Sequence, residues 1–249
     1  MHQRRAAARS DHLRAVLLLA GIILPLAPSA ARACDDRSVL ANAAVGITRM
    51  FDETEKQDLA GVAGSGWFLA PRLLVTVAHV AEGMRLTERA WTPVQLREGD
   101  AVEKIDVRLQ RIVGAGREKI ALIETAAPLG SARPLALRKE PLVAEEPVIS
   151  RAYRSDRVRT AQGRFVAHGT QGRFAGGALF EIYEGDDRMA FDYGASGAPV
   201  LDCAGRVVAV VANLLTQTSG GQVRVTTAWS MPNVLTVPVA VLHESGETN

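Results

Sequence analysis

Apolar and β-branched residues recur along this chain in short runs, many alternating with polar ones, and clusters of Gly, Pro, Asp or Ser separate most of them. Residues 45–51, 66–70, 73–77, 101–113, 120–124, 143–153, 163–167, 178–183, 207–212 and 223–229 read as strands on this basis. Pro199 opens a further strand at Val200-Leu201. No segment holds a helical period for long, and residues 236–243 fit a short helix or a strand equally well. There is no internal repeat and no low-complexity tract. Residues 126–134 (AAPLGSARP) read as a connector between two halves of comparable size. The pattern predicts an all-β protein of two barrels, with its site in the cleft between them.

The first 33 residues break this pattern. Arg4, Arg5, Arg9 and Arg14 precede or open an apolar core at 15–27, interrupted by Gly21 and Pro25. Ala31-Arg32-Ala33 then offers small residues to a signal peptidase. Residues 1–33 are therefore expected to be a secretion signal, and the core is too short for a comfortable span of about 20 residues. The expected mature domain is 34–249, with barrels at about 41–125 and 135–242, secreted or periplasmic and without a membrane span.

Removing the signal reverses the charge. The whole chain has 29 basic and 27 acidic residues, net +2. Residues 1–33 hold five Arg and one Asp, which leaves 24 basic and 26 acidic residues, net −2. Nothing global then points to nucleic acid or an anionic membrane. A local basic stretch (Arg151, Arg154, Arg157, Arg159, Arg164) has Tyr153 as its only interleaved aromatic and reads as a solvated strand edge. No Cys, His and Asp cluster has metal-ligand spacing, and neither a metal nor another cofactor is expected.

The two cysteines are Cys34, immediately after the expected cut, and Cys203. An even pair in an oxidising compartment favours a disulfide, worth about 4–5 kcal/mol in the chain-entropy picture for so long a loop. Lipidation of Cys34 is the alternative. Ala31-Arg32-Ala33 fits it poorly, lacking an apolar residue at −3 and carrying Arg at −2.

Two peptides carry chemistry: Thr76-Val77-Ala78-His79, and Gly194-Ala195-Ser196-Gly197-Ala198-Pro199. A serine hydroxyl is a poor nucleophile until an imidazole takes its proton. The tetrahedral intermediate needs N–H donors, which a Gly-x-Ser turn can present. His168 and His243 are the other histidines after residue 33, and neither lies in a motif.

Both peptides resemble those of trypsin/chymotrypsin-like serine proteases, which carry a T-A-A-H-type segment and G-[DN]-S-G-G-P. Gly64-Ser65-Gly66-Trp67-Phe68-Leu69 resembles the G-S-G-F strand leading to their histidine, and 228–232 (AWSMP) looks like the terminal strand of the bacterial Deg/HtrA-type branch. The residues left over do not suffice for a PDZ domain, so the full Deg/HtrA arrangement is not expected. The resemblance implies two six-stranded antiparallel β-barrels of the chymotrypsin type. It also implies Ser196 as nucleophile, His79 as general base, and the N–H groups of Gly194 and Ser196 as oxyanion hole. The base of the substrate pocket falls near Ala190, with Ala212, Asn213 and Leu214 along its wall. The absence of an acid at Ala190 implies a small or medium apolar P1 residue, with Asp192 nearby. Ala195 replaces the Asp that binds a freed N-terminal amine in pancreatic-type enzymes, so activation by that salt bridge is not expected.

The acid departs from the pattern. The family places an Asp before I-A-L-L, and here Lys119 precedes Ile120-Ala121-Leu122-Ile123, with Glu118 one residue earlier. A one-residue slip on a strand normally turns a side chain to the other face. Three possibilities stand: Glu118, another carboxylate such as Asp106, or a bare Ser–His dyad. A Lys119 ammonium close to His79 would oppose the imidazolium that forms during acylation. The expected function is a secreted serine endopeptidase acting on peptides or proteins. The alternative, argued from Lys119, is a catalytically impaired protease-fold protein that binds a peptide or protein partner.

Overall fold

A computed structural model of the chain describes residues 34, 36–55, 60–116, 118–130, 133–154, 157–184, 194–214, 216–219, 222–225, 234–244 and 246. The first six strands are β1 (Val45–Met50), β2 (Gly61–Ala70), β3 (Leu73–Val77), β4 (Thr92–Glu98), β5 (Ala101–Val113) and β6 (Ile120–Thr125). They close into an antiparallel barrel in the order β1-β2-β3-β6-β5-β4. The next are β7 (Pro147–Arg154), β8 (Arg157–His168), β9 (Ala178–Tyr183), β10 (Pro199–Leu201) and β11 (Val207–Leu214). A separate hairpin of β12 (Thr216–Ser219) and β13 (Gln222–Val225) precedes β14 (Val234–Pro238). The second barrel closes as β10-β11-β14-β9-β8-β7, also antiparallel. The all-β, two-barrel expectation of the sequence is met.

Strand alternation joins the two barrels. In β7, β10 and β11, Val148, Val200 and Val211 face the second barrel's own core with Phe165, Phe180 and Ile182. Their neighbours Ile149, Leu201 and Val210 belong instead to the core that contains Trp67, Leu74 and Ile120–Ile123 of the first barrel. Each of these strands therefore carries buried residues on both faces, which explains the unbroken apolar run Val207–Ala212 of β11. Each such side chain contributes about 1.5–3 kcal/mol on burial. Tyr153 rivets the junction: it is 2% exposed, and a Cβ added to Gly46 would lie 3.0 Å from its ring. Its hydroxyl accepts a 2.7 Å bond from the Gly99 N–H in the β4–β5 turn.

Several elements differ from the sequence expectation. β4 lies outside the strands expected from the pattern because only Val94 and Leu96 are strongly apolar, although Thr92, Val94 and Leu96 are the buried alternate positions. β2 begins earlier, at Gly61, and β8 at Arg157. The ambiguous residues 236–243 divide between β14 and a helix α2 (Ala240–Glu244). Residues 226–229 of the expected last strand, and all of 228–232, lie outside the described residues. The basic stretch becomes the β7–β8 hairpin, where Arg159 pairs with Glu184, and Arg164 with Glu181 and Glu145.

Cys34 and Cys203 form a disulfide across 169 residues of sequence. A short 3-10 turn, Arg37–Leu40, follows Cys34, and Asp36 caps it by accepting from the Ser38 N–H at 2.8 Å. Leu40 enters the shared core, and its carbonyl accepts from Arg151 at 2.9 Å. Close to this anchor, Arg138 pairs with Glu146 and Asp202, and His243 Nε2 lies 3.1 Å from the Arg138 carbonyl. Hydrogen bonding to Glu146, chiefly, holds the Arg138 guanidinium above its ordinary range. Among the described residues, no helix is long and apolar enough to cross a membrane.

Candidate active site

Strand register brings His79 and Glu118 together. In the β3–β6 pair, Thr76 lies opposite Ala121 and Val77 opposite Ile120. The same register continues past the strand ends, where the Ala78 N–H donates to the Lys119 carbonyl at 2.8 Å. One more step sets His79 opposite Glu118. His79 sits in the first turn of a short helix, α1 (Ala78–Gly83), and its Nδ1 lies 3.7 Å from Glu118 Oε2. That is ion-pair reach, longer than a hydrogen bond. The imidazole is 43% exposed and the carboxylate 19%. Beside Glu118, a small cavity is lined by Phe174, Ala175, Gly176, Gly177 and Leu235 of the second barrel.

Lys119 is exposed, and its carbonyl accepts from the Ala78 N–H. Alternation sends Lys119 outward and Ile120 inward. Asp106 is also displaced from the site. It is exposed on β5 opposite Pro93, and its neighbour Val107 pairs with Thr125. That is the far end of β6 from Ile120. Of the candidate acids weighed from the sequence, the structure brings Glu118 to His79.

Ser196 lies on the loop that leads into β10. Gly194 and Gly197 have φ of +98° and +93°, where glycine is favoured. Three successive carbonyls of this loop are tied to the protein. Gly194 O accepts from Ser65 Oγ at 2.7 Å, Ala195 O from Ala198 N at 2.9 Å, and Ser196 O from Ser65 N at 2.8 Å. The Gly197 N–H donates to Val211 O at 2.8 Å. A Cβ at Gly197 would lie 2.0 Å from Ser65 O and 2.1 Å from Thr76 Oγ1. The Ser196 hydroxyl donates to the Ala212 carbonyl at 3.1 Å. Ala195 is buried among the apolar residues of the second barrel, a setting that suits it better than the family's Asp.

Ala212 is buried on β11, and Asn213 and Leu214 continue that strand opposite Leu235 and Val234. Ala190 and Asp192 lie outside the described residues. His168 ends β8 with its ring 4.9 Å from that of Phe165, and His243 is in α2. Among the described residues, no group of three or more His, Cys, Asp or Glu could hold a metal. Sequence reasoning missed the part played by Ser65 and Thr76. Both are fully buried, and Thr76 Oγ1 donates to Ser65 O at 2.7 Å. The only sequence signal was their position, in the G-S-G strand and just before His79.

Two six-stranded barrels, with histidine and acid on one and serine on a loop of the other, define a chymotrypsin-type fold. Residues 64–210 match the model of the trypsin-like peptidase domain, and the chain belongs to that family of serine proteases. Solved structures of the protease Rv3671c from M. tuberculosis share the fold. Its inactive form aligns with TM-score 0.56 at 15% identity over 83% of this chain and 88% of that one. The active form gives TM-score 0.56 at 15% identity over 83% and 80%. A serine-to-alanine mutant in the inactive form gives 0.53 at 14% over 83% and 86%. No curated protein sequence matches this chain significantly.

Proposed function

We propose that residues 34–249, released from a signal at 1–33, form a secreted or periplasmic serine endopeptidase. Ser196 is the nucleophile, His79 the general base and then acid, and Glu118 the carboxylate that orients the imidazole. The observation that carries this assignment is the 3.7 Å approach of His79 Nδ1 to Glu118 Oε2. With Nδ1 turned to the acid, Nε2 is the nitrogen left to take the Ser196 proton.

In acylation, Ser196 Oγ attacks a peptide carbonyl while His79 accepts its proton, and the Gly194 and Ser196 N–H groups receive the oxyanion. His79 then protonates the leaving amine, and a water activated by the same imidazole hydrolyses the ester. Before attack the hydroxyl must turn from the Ala212 carbonyl toward His79. Catalytic hydrogen bonds often tighten only when substrate binds. Ala190 in place of an acid supports a small or medium apolar P1 residue. The partner-binding alternative rests on Lys119 at the family's aspartate position; Glu118 within reach of His79 favours the catalytic reading.

The test is labelling of purified residues 34–249 with a fluorophosphonate probe, beside Ser196→Ala and His79→Ala. Label lost in both variants is the expected result. A folded wild-type protein that takes no label would overturn the assignment and favour binding without cleavage.

A further inference from the structure

Ser65 uses all its polar atoms, and two of them hold the loop of the nucleophile. Its N–H donates to Ser196 O (2.8 Å) and its hydroxyl to Gly194 O (2.7 Å). The same hydroxyl accepts from the Tyr153 N–H (2.9 Å), and its carbonyl accepts from Thr76 Oγ1 (2.7 Å). The side chain is wholly buried, so water cannot replace these partners. Because Tyr153 N–H occupies an acceptor lobe of the hydroxyl, the hydroxyl proton is directed to Gly194 O.

The consequence for the loop is geometric. In a trans peptide plane the C=O and N–H point in opposite directions. The Ala195 carbonyl is drawn to Ala198 N, which turns the Ser196 N–H the other way, and fixing the carbonyls on either side stops that plane from rotating. An oxyanion hole works because its donors are set before charge develops, without reorganisation at the moment of reaction. A loop with glycines at both φ-positive positions has little stiffness of its own.

We propose that Ser65 is a positioning residue for the oxyanion hole: its hydroxyl, aimed by the Tyr153 N–H, locks the Gly194 carbonyl, and with the tie from its own N–H to Ser196 O it holds the Ser196 N–H donor in place. It transmits the geometry of β7 and β3 to the loop without touching substrate. This rests on the assignment of Ser196 as nucleophile.

The experiment compares wild type, Ser65→Ala and Ser65→Cys in peptide hydrolysis and in inhibition by a peptide boronate, which forms a tetrahedral adduct on the serine. The expected result for Ser65→Ala is a fall in kcat of about 10–100-fold, somewhat less than the loss of a direct oxyanion donor. The boronate Ki should rise in parallel, with KM changed less than about threefold. Ser65→Cys, of similar size but a weaker donor, should fall between, and it serves if Ser65→Ala does not fold. A purely structural role would lower Tm and leave kcat and boronate affinity of the folded fraction unchanged. That outcome, in a wild type that carries Ser196-dependent label, overturns the Ser65 assignment alone. A wild type without such label overturns the protease assignment and this inference together.

Discussion

His79 Nδ1 lies 3.7 Å from Glu118 Oε2 because the β3–β6 register, carried two residues beyond Val77 and Ile120, sets these residues opposite one another. Sequence alignment to the family's acid points to Lys119, whereas strand pairing selects its neighbour. Glu has one more methylene than Asp, and the extra reach suits a residue at the start of a strand rather than within it.

If Glu118 orients the imidazole, Glu118→Gln should lower kcat by up to about 10⁴-fold, the size of the loss when the orienting acid of a serine-protease triad is replaced by its amide. Lys119→Ala should leave kcat within about threefold and stability within about 0.5 kcal/mol, since its side chain is exposed. Steady-state kinetics on both variants decides the matter. Equal losses in the two, or none in Glu118→Gln, would return the site to a bare dyad.

Gly197 should not tolerate alanine. Its φ of +93° already disfavours a side chain, by about 1–2 kcal/mol. The new Cβ would also press on Ser65 O and Thr76 Oγ1, an overpacking worth about 1–3 kcal/mol more. Urea unfolding of Gly197→Ala should show a lower midpoint with loss of fluorophosphonate labelling. A variant of wild-type stability and activity would mean the loop relaxes freely.

Replacing both Cys34 and Cys203 by serine should cost about 2–5 kcal/mol, since the bond closes a loop of 169 residues in the unfolded chain. Reduction of the wild type should reproduce the shift in its urea midpoint. An unchanged midpoint would show that Leu40 and its neighbours hold the N-terminal segment without the bond.

Tyr153→Phe tests the rivet between barrels. It removes the acceptor of the Gly99 N–H while keeping the ring against Gly46. The expected loss is about 0.5–1.5 kcal/mol by thermal or urea unfolding, with catalysis nearly unchanged. A large loss of kcat would implicate the Tyr153 backbone, which holds Ser65, as displaced along with its side chain.

The sequence by itself determined the elements whose cause is local. Period-2 runs of Val, Ile and Leu specify strands because alternate side chains must go to opposite faces, and from them follow the all-β class and most of the strands. The membership in the trypsin-like peptidase family was legible because the His79 and Ser196 peptides resemble the family's in residue type and spacing. The cysteine pair was legible because only two candidates exist. β4 was faint, since its core face is carried by Thr92, Val94 and Leu96 alone.

Tertiary structure decided what depends on pairing between distant residues. Glu118 rather than Lys119 or Asp106 meets His79 because register is set by the whole β3–β6 ladder, while Asp106, on β5, lies by the other end of β6. The double burial of β7, β10 and β11 follows from closure of two barrels on one another. Ser65 and Gly194 are 129 residues apart. A local pattern cannot encode such a contact, because the free energy that fixes it comes from the packing of both barrels around it.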